Sequence, residues 1–349
     1  MEPRLEKIRN AVVSMFKVNL GLKDGERILV ATDVPDRRWW DVWSMEHLLD
    51  VLRRALLARA VRDIAAEAFP KCDVKFYAYP CTGSHGAEPK PEVAKALRSA
   101  DVVVAITTYS LSHTKAREEA TNAGVRLASM PGFTEDMFYP GGPMSADYHA
   151  ISRESKRLAD LLTKAREAYV ISPAGTEMRF SLEGRSGMVD DGLLDKPGAW
   201  GNLPAGEAFI APREGTAEGK IVVEKGWYPE LEEDMTLIFD GGEVIEVDGG
   251  GDVGNWLRKT LRPGVRREPF TSRRNLAELG LGTNPNAKNP LNILESEKIR
   301  GTVHLAVGDN AHIGGRVSTD LHIDFVIPRP TLRLDGMAVI QDGKIVIEP

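Results

Sequence analysis

A short C-terminal stretch of the sequence combines histidines with several carboxylates. It holds three of the seven histidines of the chain, and its members are Glu295, Glu297, His304, His312, His322 and Asp324. Because side-chain direction alternates along a strand, the His-x-Asp pattern in DLHIDFVI predicts an imidazole and a carboxylate on one face. Such a pair, with another histidine and acids nearby, is typical of a catalytic site for a divalent metal ion.

The elements that must position these residues change in character near residue 170. Before that point, short apolar runs alternate with segments of helical periodicity. The predicted strands are Arg27–Thr32, Val74–Tyr79, Val102–Thr107 and Val125–Ser129. The predicted helices are 46–68, Glu92–Ser99, Lys115–Asn122 and Ala146–Glu167. This rhythm predicts an α/β region with a doubly wound parallel sheet.

After residue 170 strand patterns dominate. Turn sequences at Asp240-Gly241-Gly242 and Asp342-Gly343 lie between alternating segments and predict hairpins. A chain of 349 residues is long for one compact domain. We therefore predict a Rossmann-like α/β domain over residues 1–170 and a strand-rich α+β catalytic metal-binding domain over residues 171–349.

Composition excludes several classes of function. The net charge of −6 and the pI of about 5.8 leave no basic footprint for nucleic acid. The longest apolar runs, such as Val102 to Ile106, are too short to span a bilayer, and the N-terminal stretch lacks a signal-peptide core. We expect a cytoplasmic protein without nucleic-acid or membrane partners. Cys72 and Cys81 are interpreted as small buried thiols.

Three residues have both a ligand and a structural interpretation. Taken alone, His304 would be interpreted as a structural histidine whose hydrogen bonds are satisfied on a half-buried strand. Its acidic and histidine neighbours favour a metal ligand instead. Glu207 enters a strand, and Glu278 lies within an apolar run where an acid is rarely buried without a partner. For each glutamate, a metal ion and a salt bridge to a nearby arginine are equally open.

Residues outside this set are less determined. His312, in a predicted loop, is open as a ligand, a proton donor behind the ligands or a solvent-exposed residue. Arg185 and His113 are candidates for substrate binding, against a surface salt bridge and a position beside a helix N-terminus, respectively. A cluster of three tryptophans is interpreted as packing; these are Trp39, Trp40 and Trp43.

Four segments together resemble a known family. NLPAGEAFIAP, AELGLGTNPNA, GTVHLAVG and LHIDFVI follow, in order, the metal-binding motifs of the aminopeptidase T / aminopeptidase S / PepS family of metallo-aminopeptidases. In the N-terminal half, SHGAEPKPEV, TTYSLSHTKAREEA and RLASMPGF resemble the shorter leucyl-aminopeptidase-like members. The resemblance runs from about residue 25 to the end of the chain.

This resemblance implies a site for two divalent metal ions, with zinc, cobalt, manganese or magnesium as candidates. The residues that match the ligands of the family are Glu207, Glu278, His304, His322 and Asp324, with Glu278 between the two metals. Glu297 corresponds less securely to an upstream acid, and the family tyrosine is replaced at about Ala311, beside His312. The implied activity is removal of N-terminal residues from short peptides by metal-activated water, with Glu278 or Glu297 carrying the proton. Edge strands and the resemblance both predict a homodimer.

Two alternatives stay open at this point. A related branch of the fold resembles an iron(II) ring-cleaving dioxygenase of dihydroxypyridine type, which needs two histidines and one carboxylate. His304, His322 and Asp324 would meet that need alone, so the presence of Glu207 and Glu278 favours the hydrolase. The third reading is a metal-dependent hydrolase of a non-peptide small molecule, which the missing tyrosine keeps open.

Overall fold

A computed structural model describes residues 4–347 of the chain; residues 1–3 and 348–349, which belong to the two predicted domains, lie outside it. The described residues form two compact units. One runs up to His149 and adds Gly192–Ala205, and the other consists of Ala150–Asp191 and the chain from Gly206 onward. Compact units are defined by contacts rather than by independent folding, so the predicted domain division near residue 170 stays a prediction.

The first unit contains a five-stranded parallel sheet with the order β2-β1-β3-β4-β8. Its strands are β1 (Arg27–Val34), β2 (Asp73–Pro80), β3 (Val102–Thr107), β4 (Arg126–Pro131) and β8 (Trp200–Asn202). Its helices are α1 (Leu5–Ser14), α2 (Arg37–Trp40), α3 (Met45–Ala68), α4 (Pro91–Arg98) and α5 (Lys115–Asn122), and α6 (Tyr148–Lys164) begins in it. All six residues of β3 are buried, as its continuous β-branched run predicts for a strand covered on both faces.

The second unit is rich in strands. Its larger sheet is antiparallel and has eight strands in the order β12-β11-β10-β6-β5-β16-β17-β18. These are β5 (Glu167–Ile171), β6 (Glu177–Ser181), β10 (Glu218–Val223), β11 (Met235–Asp240), β12 (Glu243–Gly249), β16 (Thr331–Leu334), β17 (Met337–Gln341) and β18 (Lys344–Ile345). The two predicted hairpins are confirmed, since β11 pairs with β12 and β17 pairs with β18.

The smaller antiparallel sheet of this unit has the order β15-β14-β13-β9-β7. Its strands are β7 (Met188–Asp190), β9 (Glu207–Ile210), β13 (Leu276–Gly282), β14 (Val303–Gly308) and β15 (His322–Ile327). One face of the sheet contributes apolar side chains to the core, among them Leu279, Leu281, Leu305 and Phe325. The fold-class prediction is therefore confirmed: a parallel sheet lies in the N-terminal part and antiparallel sheets follow.

Several elements differ from the sequence predictions. The remaining helices are α7 (Gly251–Leu261), α8 (Phe270–Arg273) and α9 (Ile293–Ser296). The glycine triplet 249–251 leads directly into α7, and β13 and α1 were not predicted. The sequence of β13 contains two glycines and an acid, which hide its strand character. No helix within residues 4–347 is both long enough and apolar enough to cross a bilayer.

Candidate metal centre

Every candidate ligand of the small sheet lies opposite a glycine or alanine on a neighbouring strand. The pairs are Glu207 with Gly282, His304 with Gly280, Glu278 and Asp324 each with Ala306, and His322 with Gly308. Because directly opposite residues of an antiparallel sheet project to the same face, small residues at these positions leave room for larger polar neighbours. The opposite face packs into the core, so the register fixes which side chains converge.

Glu278 lies at the centre of this polar face. Its Oε1 lies 3.3 Å from His304 Nε2, and its Oε2 lies 3.4 Å from His322 Nε2. His322 Nε2 is also 3.4 Å from Asp324 Oδ1, and His304 Nε2 is 3.5 Å from Glu207 Oε2. Two groups of three side chains that share Glu278 thus bring ligand atoms within 4.8 Å of one another: Glu207, Glu278 and His304, and Glu278, His322 and Asp324.

The ring of His322 is held in a defined orientation. Its Nδ1 donates to the backbone carbonyl of Asp309 at 2.8 Å, because a carbonyl oxygen only accepts. Nε2 therefore faces the carboxylates of Glu278 and Asp324, and after loss of its proton it would offer its lone pair to a metal ion. Histidines that bind metals use their second nitrogen in this way, and the hydrogen bond fixes both the tautomer and the ring plane.

His312 lies next to the ring of His322 and contacts the carboxylate of Asp309. Its Nδ1 lies 2.6 Å from Asp309 Oδ2, and the ring meets that of His322 edge-on, with centroids 5.3 Å apart. Asp309 thus connects both imidazoles, through its carboxylate and through its backbone carbonyl. Of the three roles left open for His312, this position corresponds to support behind a ligand.

Mutual charges dominate the electrostatics of the group. Burial alone would raise the pKa of Glu278, but hydrogen bonds and charge from His304 and His322 hold it well below its ordinary value. Burial would lower the pKa of both histidines, yet the facing carboxylates raise the pKa of His304 to about 9 and that of His322 well above its usual range. When no metal is bound, Glu278 is therefore ionised and the imidazoles of His304 and His322 are protonated at neutral pH.

Lys298 belongs to the same polar cluster and was missed by the sequence reasoning. Its buried Nζ lies 2.6 Å from Glu207 Oε1 and 3.1 Å from Glu297 Oε2. Burial opposes the charged form, but Glu207, Glu297 and Asp190 together raise the pKa of Lys298 well above its ordinary value. The salt-bridge interpretation of Glu207 thus holds, although its partner is this lysine rather than an arginine.

Glu297 differs from the other acids in its protonation. Burial, reinforced by the carboxylates of Asp324 and Glu207 and opposed by Lys298, raises the pKa of Glu297 to about 8. A carboxyl group in that range exchanges protons near neutral pH, which suits acid–base work. By contrast, Glu295 accepts hydrogen bonds from the backbone of Lys288 and Asn289, and so holds its loop together.

The two candidates for substrate binding have structural contacts of their own. Arg185 donates to the carbonyl of Gly314 and forms an ion pair with Glu214. His113 belongs to the first unit, where its ring meets Trp200 edge-on at 6.3 Å. Their role in substrate binding stays a prediction. Trp39 and Trp43 stack with centroids 4.5 Å apart, which agrees with the packing interpretation, whereas Trp40 is 53% exposed.

A cleft of about 960 Å³ in the second unit approaches the small sheet. Its lining includes four carboxylates and two aromatic rings, namely Glu230, Glu232, Glu233, Asp252, Tyr228 and Trp256. The ring of Tyr228 packs on Phe325, with centroids 5.6 Å apart. Burial, together with the charges of Asp324 and Glu230, raises the pKa of Tyr228 to about 12, so its hydroxyl is neutral at physiological pH.

Comparison with known proteins identifies a family, a relative and solved structures of similar fold. The family model of 2,5-dihydroxypyridine 5,6-dioxygenases matches residues 52–347. A relative of that name from Pseudomonas putida is 26% identical over 269 residues, which cover 72% of this chain and 73% of the relative. The solved structure of the 2,5-dihydroxypyridine dioxygenase from Pseudomonas putida is 20% identical, with a TM-score of 0.72 over 99% of this chain and 98% of that one.

The second solved structure is AmpT from Thermus thermophilus, at 16% identity and a TM-score of 0.62, covering 97% of this chain and 99% of that one. That likeness concerns the fold alone, so the resemblance to aminopeptidases holds only as a broad relationship. The prediction of a metallo-aminopeptidase, and of hydrolase activity, is wrong, because the family match is to dioxygenases. The argument that favoured a hydrolase counted Glu207 as a metal ligand, whereas the structure gives it an ammonium partner.

Proposed function

Since this chain belongs to the 2,5-dihydroxypyridine 5,6-dioxygenase family, we propose that it opens a dihydroxylated pyridine-type ring with dioxygen at an iron(II) centre. The observation that carries this proposal is the family match over residues 52–347, which includes all five candidate ligands. The reaction cleaves a carbon–carbon bond of the ring and places both oxygen atoms of dioxygen in the product. It needs no external reductant, because the ring supplies all the electrons.

The donor set fits a divalent ion. Two atoms that bind one ion at about 2.1 Å and at tetrahedral or octahedral angles lie about 3.0–3.4 Å apart. His322 Nε2 lies 3.4 Å from one oxygen of Glu278 and 3.4 Å from one oxygen of Asp324, which agrees with ligand spacing and exceeds that of strong charged hydrogen bonds. Non-haem iron(II) oxygenases use imidazole and carboxylate ligands, most often two histidines and one carboxylate, whereas the group within mutual reach here has one histidine and two carboxylates. These three residues would hold the ion.

When bound, iron(II) supplies the one-electron chemistry that lets dioxygen react with an electron-rich ring. The chain itself must orient the ring and accept the proton that a ring hydroxyl loses. Glu297 suits the second task, because a pKa of about 8 leaves it able to exchange a proton at neutral pH. His304, hydrogen-bonded to Glu278 through Nε2, would keep that carboxylate in place.

The cleft beside Tyr228 is the proposed route for the ring. Its aromatic lining offers stacking surfaces to a flat heterocycle, and its carboxylates disfavour anionic rings. The hydroxyl of Tyr228 stays protonated at physiological pH and can donate to a ring oxygen or nitrogen that approaches Asp324. Recognition of a neutral dihydroxylated pyridine therefore agrees with both the shape and the charge of the cleft.

An activity comparison tests the proposal. Purified protein loaded anaerobically with iron(II) would be given 2,5-dihydroxypyridine and, separately, aminoacyl amides of several side chains. We expect oxygen uptake that matches loss of ring absorbance, with no amide hydrolysis. Oxygen uptake that stays at the rate of free iron(II) while amides are hydrolysed would refute it.

A further inference from the structure

We propose that the ammonium group of Lys298 takes the place of a second metal ion and so restricts this centre to one. The two groups of three ligands share Glu278, and by residue type each could accept a divalent cation. In the group of Glu207, Glu278 and His304, however, a buried positive charge is already present. Lys298 Nζ lies 2.6 Å from Glu207 Oε1, closer than any imidazole nitrogen of the cluster lies to a carboxylate of either group.

The backbone holds Lys298 firmly in this position. Its amide donates to Glu295 and its carbonyl accepts from Asn284, at 3.0 and 2.9 Å. The following residues bond along the end of β13, where Gly301 donates to the carbonyl of Gly282 at 3.0 Å. A side chain at Gly282 would meet the carbonyl of Ile299 at 2.1 Å, so the glycine is what lets this segment approach the sheet. These backbone contacts hold the segment that places the ammonium group of Lys298 beside Glu207 and Glu297.

Two buried polar atoms show that the group around Lys298 retains unused capacity for a ligand. Glu207 Oε2 and His304 Nδ1 find no hydrogen-bond partner among the described residues. Glu207 is 7% exposed and His304 is 1% exposed, so bulk water has little access to hydrogen-bond with these two atoms. Without the ammonium, the carboxylate of Glu207 would lose the cation that lies nearest to it, and a divalent cation is a chemical species that can replace it. With the ammonium in place, a second cation would meet a like charge at close range.

Metal counting tests this inference without substrate or oxygen. Wild-type protein and variants would be saturated with manganese(II), freed of loose metal by gel filtration, and examined by elemental analysis and electron paramagnetic resonance. We expect about one ion per chain and an isolated-ion spectrum for the wild type. Lys298→Met should bind about two ions with a spin-coupled spectrum, and Lys298→Met/Glu207→Gln should return to about one.

Two further variants keep the test decisive. Lys156→Met removes an exposed lysine that pairs with Asp191 and should leave the count at one. Glu207→Gln in the presence of Lys298 should also keep one ion with nearly unchanged affinity, and it decides the matter if Lys298→Met fails to fold. The inference is overturned if the wild type binds two ions, if folded Lys298→Met still binds one, or if Glu207→Gln loses its metal.

This inference rests on the proposed function only in requiring a metal ion at Glu278, His322 and Asp324. The two can fail separately. A count that rises from one to two in Lys298→Met would stand even if no ring-cleaving activity were found. Oxygen-dependent ring cleavage with an unchanged count would refute the role of Lys298 alone.

Discussion

Gly280 on β13 lies directly opposite His304 on β14, and a Cβ added at Gly280 would lie 1.9 Å from Nε2 of that ring. The nearest atoms all belong to the ring of His304, so relieving the overlap requires this buried ring to move. The absence of a side chain at residue 280 is therefore what allows an imidazole to lie flat over the sheet, next to Glu278. The glycine is part of the metal centre although it offers no ligand atom.

Gly280→Ala should displace the ring of His304 and weaken metal binding by about tenfold or more, in the range found when support of a ligand is lost. The overlap should also lower the free energy of unfolding of the metal-free protein. Manganese(II) titration and urea denaturation measure the two effects.

A compensating double variant checks the cause. In Gly280→Ala/His304→Ala the overlap is gone, so its stability should approach that of His304→Ala alone, a non-additive result. Simple addition of the two single effects would show that Gly280 acts on something other than this ring.

His322→Ala should abolish metal-dependent activity, with a loss of at least about 100-fold, and leave the fold intact. It removes a ring whose orientation is set by Asp309 and whose Nε2 faces two carboxylates. Metal content by elemental analysis and circular dichroism would be measured together. His149→Ala, on the exposed surface of α6, serves as the control. Unchanged metal content and turnover in His322→Ala would remove His322 from the ligand set.

Metal affinity should rise with pH. In the metal-free protein burial opposes protonation of the proposed ligand His322, but the carboxylates of Asp324 and Glu278 raise its pKa well above its usual range. A metal ion binds only the neutral imidazole, so binding must displace a proton, and affinity falls as the pH falls. Calorimetric titration in buffers of different ionisation enthalpy counts the protons released. Affinity that does not vary between about pH 6 and pH 9 would argue against imidazole ligation.

The raised pKa of His304 makes the stability of the metal-free protein fall as the pH rises. A raised folded-state pKa means that His304 stabilises this form fully below its unfolded pKa of about 6.5 and loses that contribution as the pH rises through 9. Stabilisation by added metal should therefore increase over this range. Thermal unfolding with and without manganese(II) measures the difference.

Substrate charge should matter because the cleft carries four carboxylates and, among its described lining residues, no lysine or arginine. A neutral dihydroxylated pyridine should be bound at least about tenfold more tightly than 2,5-dihydroxybenzoate, a difference of about 1.4 kcal/mol. Glu230→Gln/Glu232→Gln should narrow this ratio by improving KM for the carboxylated ring. An unchanged ratio would mean that the ring enters by another route.

The sequence sufficed for those parts of the centre that depend on local periodicity. His322 and Asp324 share a face because they are two apart on one strand, and the structure places them there. Bringing Glu207, Glu278 and His304 to the same sheet needed the resemblance to a family, since strand pairing is not written in any single segment. The structure brings these five side chains together, and their role as ligands is a proposal.

The parts that escaped prediction depend on register. Gly280 has no evident role within its own segment, and its significance appears only once it is paired with His304. Lys298 stands in a run of charged residues that reads as a solvated turn, yet it is 3% exposed. The role of a charged residue such as Lys298 becomes clear only when its partners, Glu207 and Glu297, are known.

Labelling with heavy oxygen tests the central assignment most directly. The iron(II)-loaded protein would convert 2,5-dihydroxypyridine under isotopically labelled dioxygen in ordinary water, and the ring-opened product would be examined by mass spectrometry before it exchanges with solvent. We expect both labelled oxygen atoms in one product molecule, with His322→Ala giving none. Product that carries oxygen only from water, or hydrolysis of aminoacyl amides in place of ring opening, would contradict the assignment of this chain as a ring-cleaving dioxygenase.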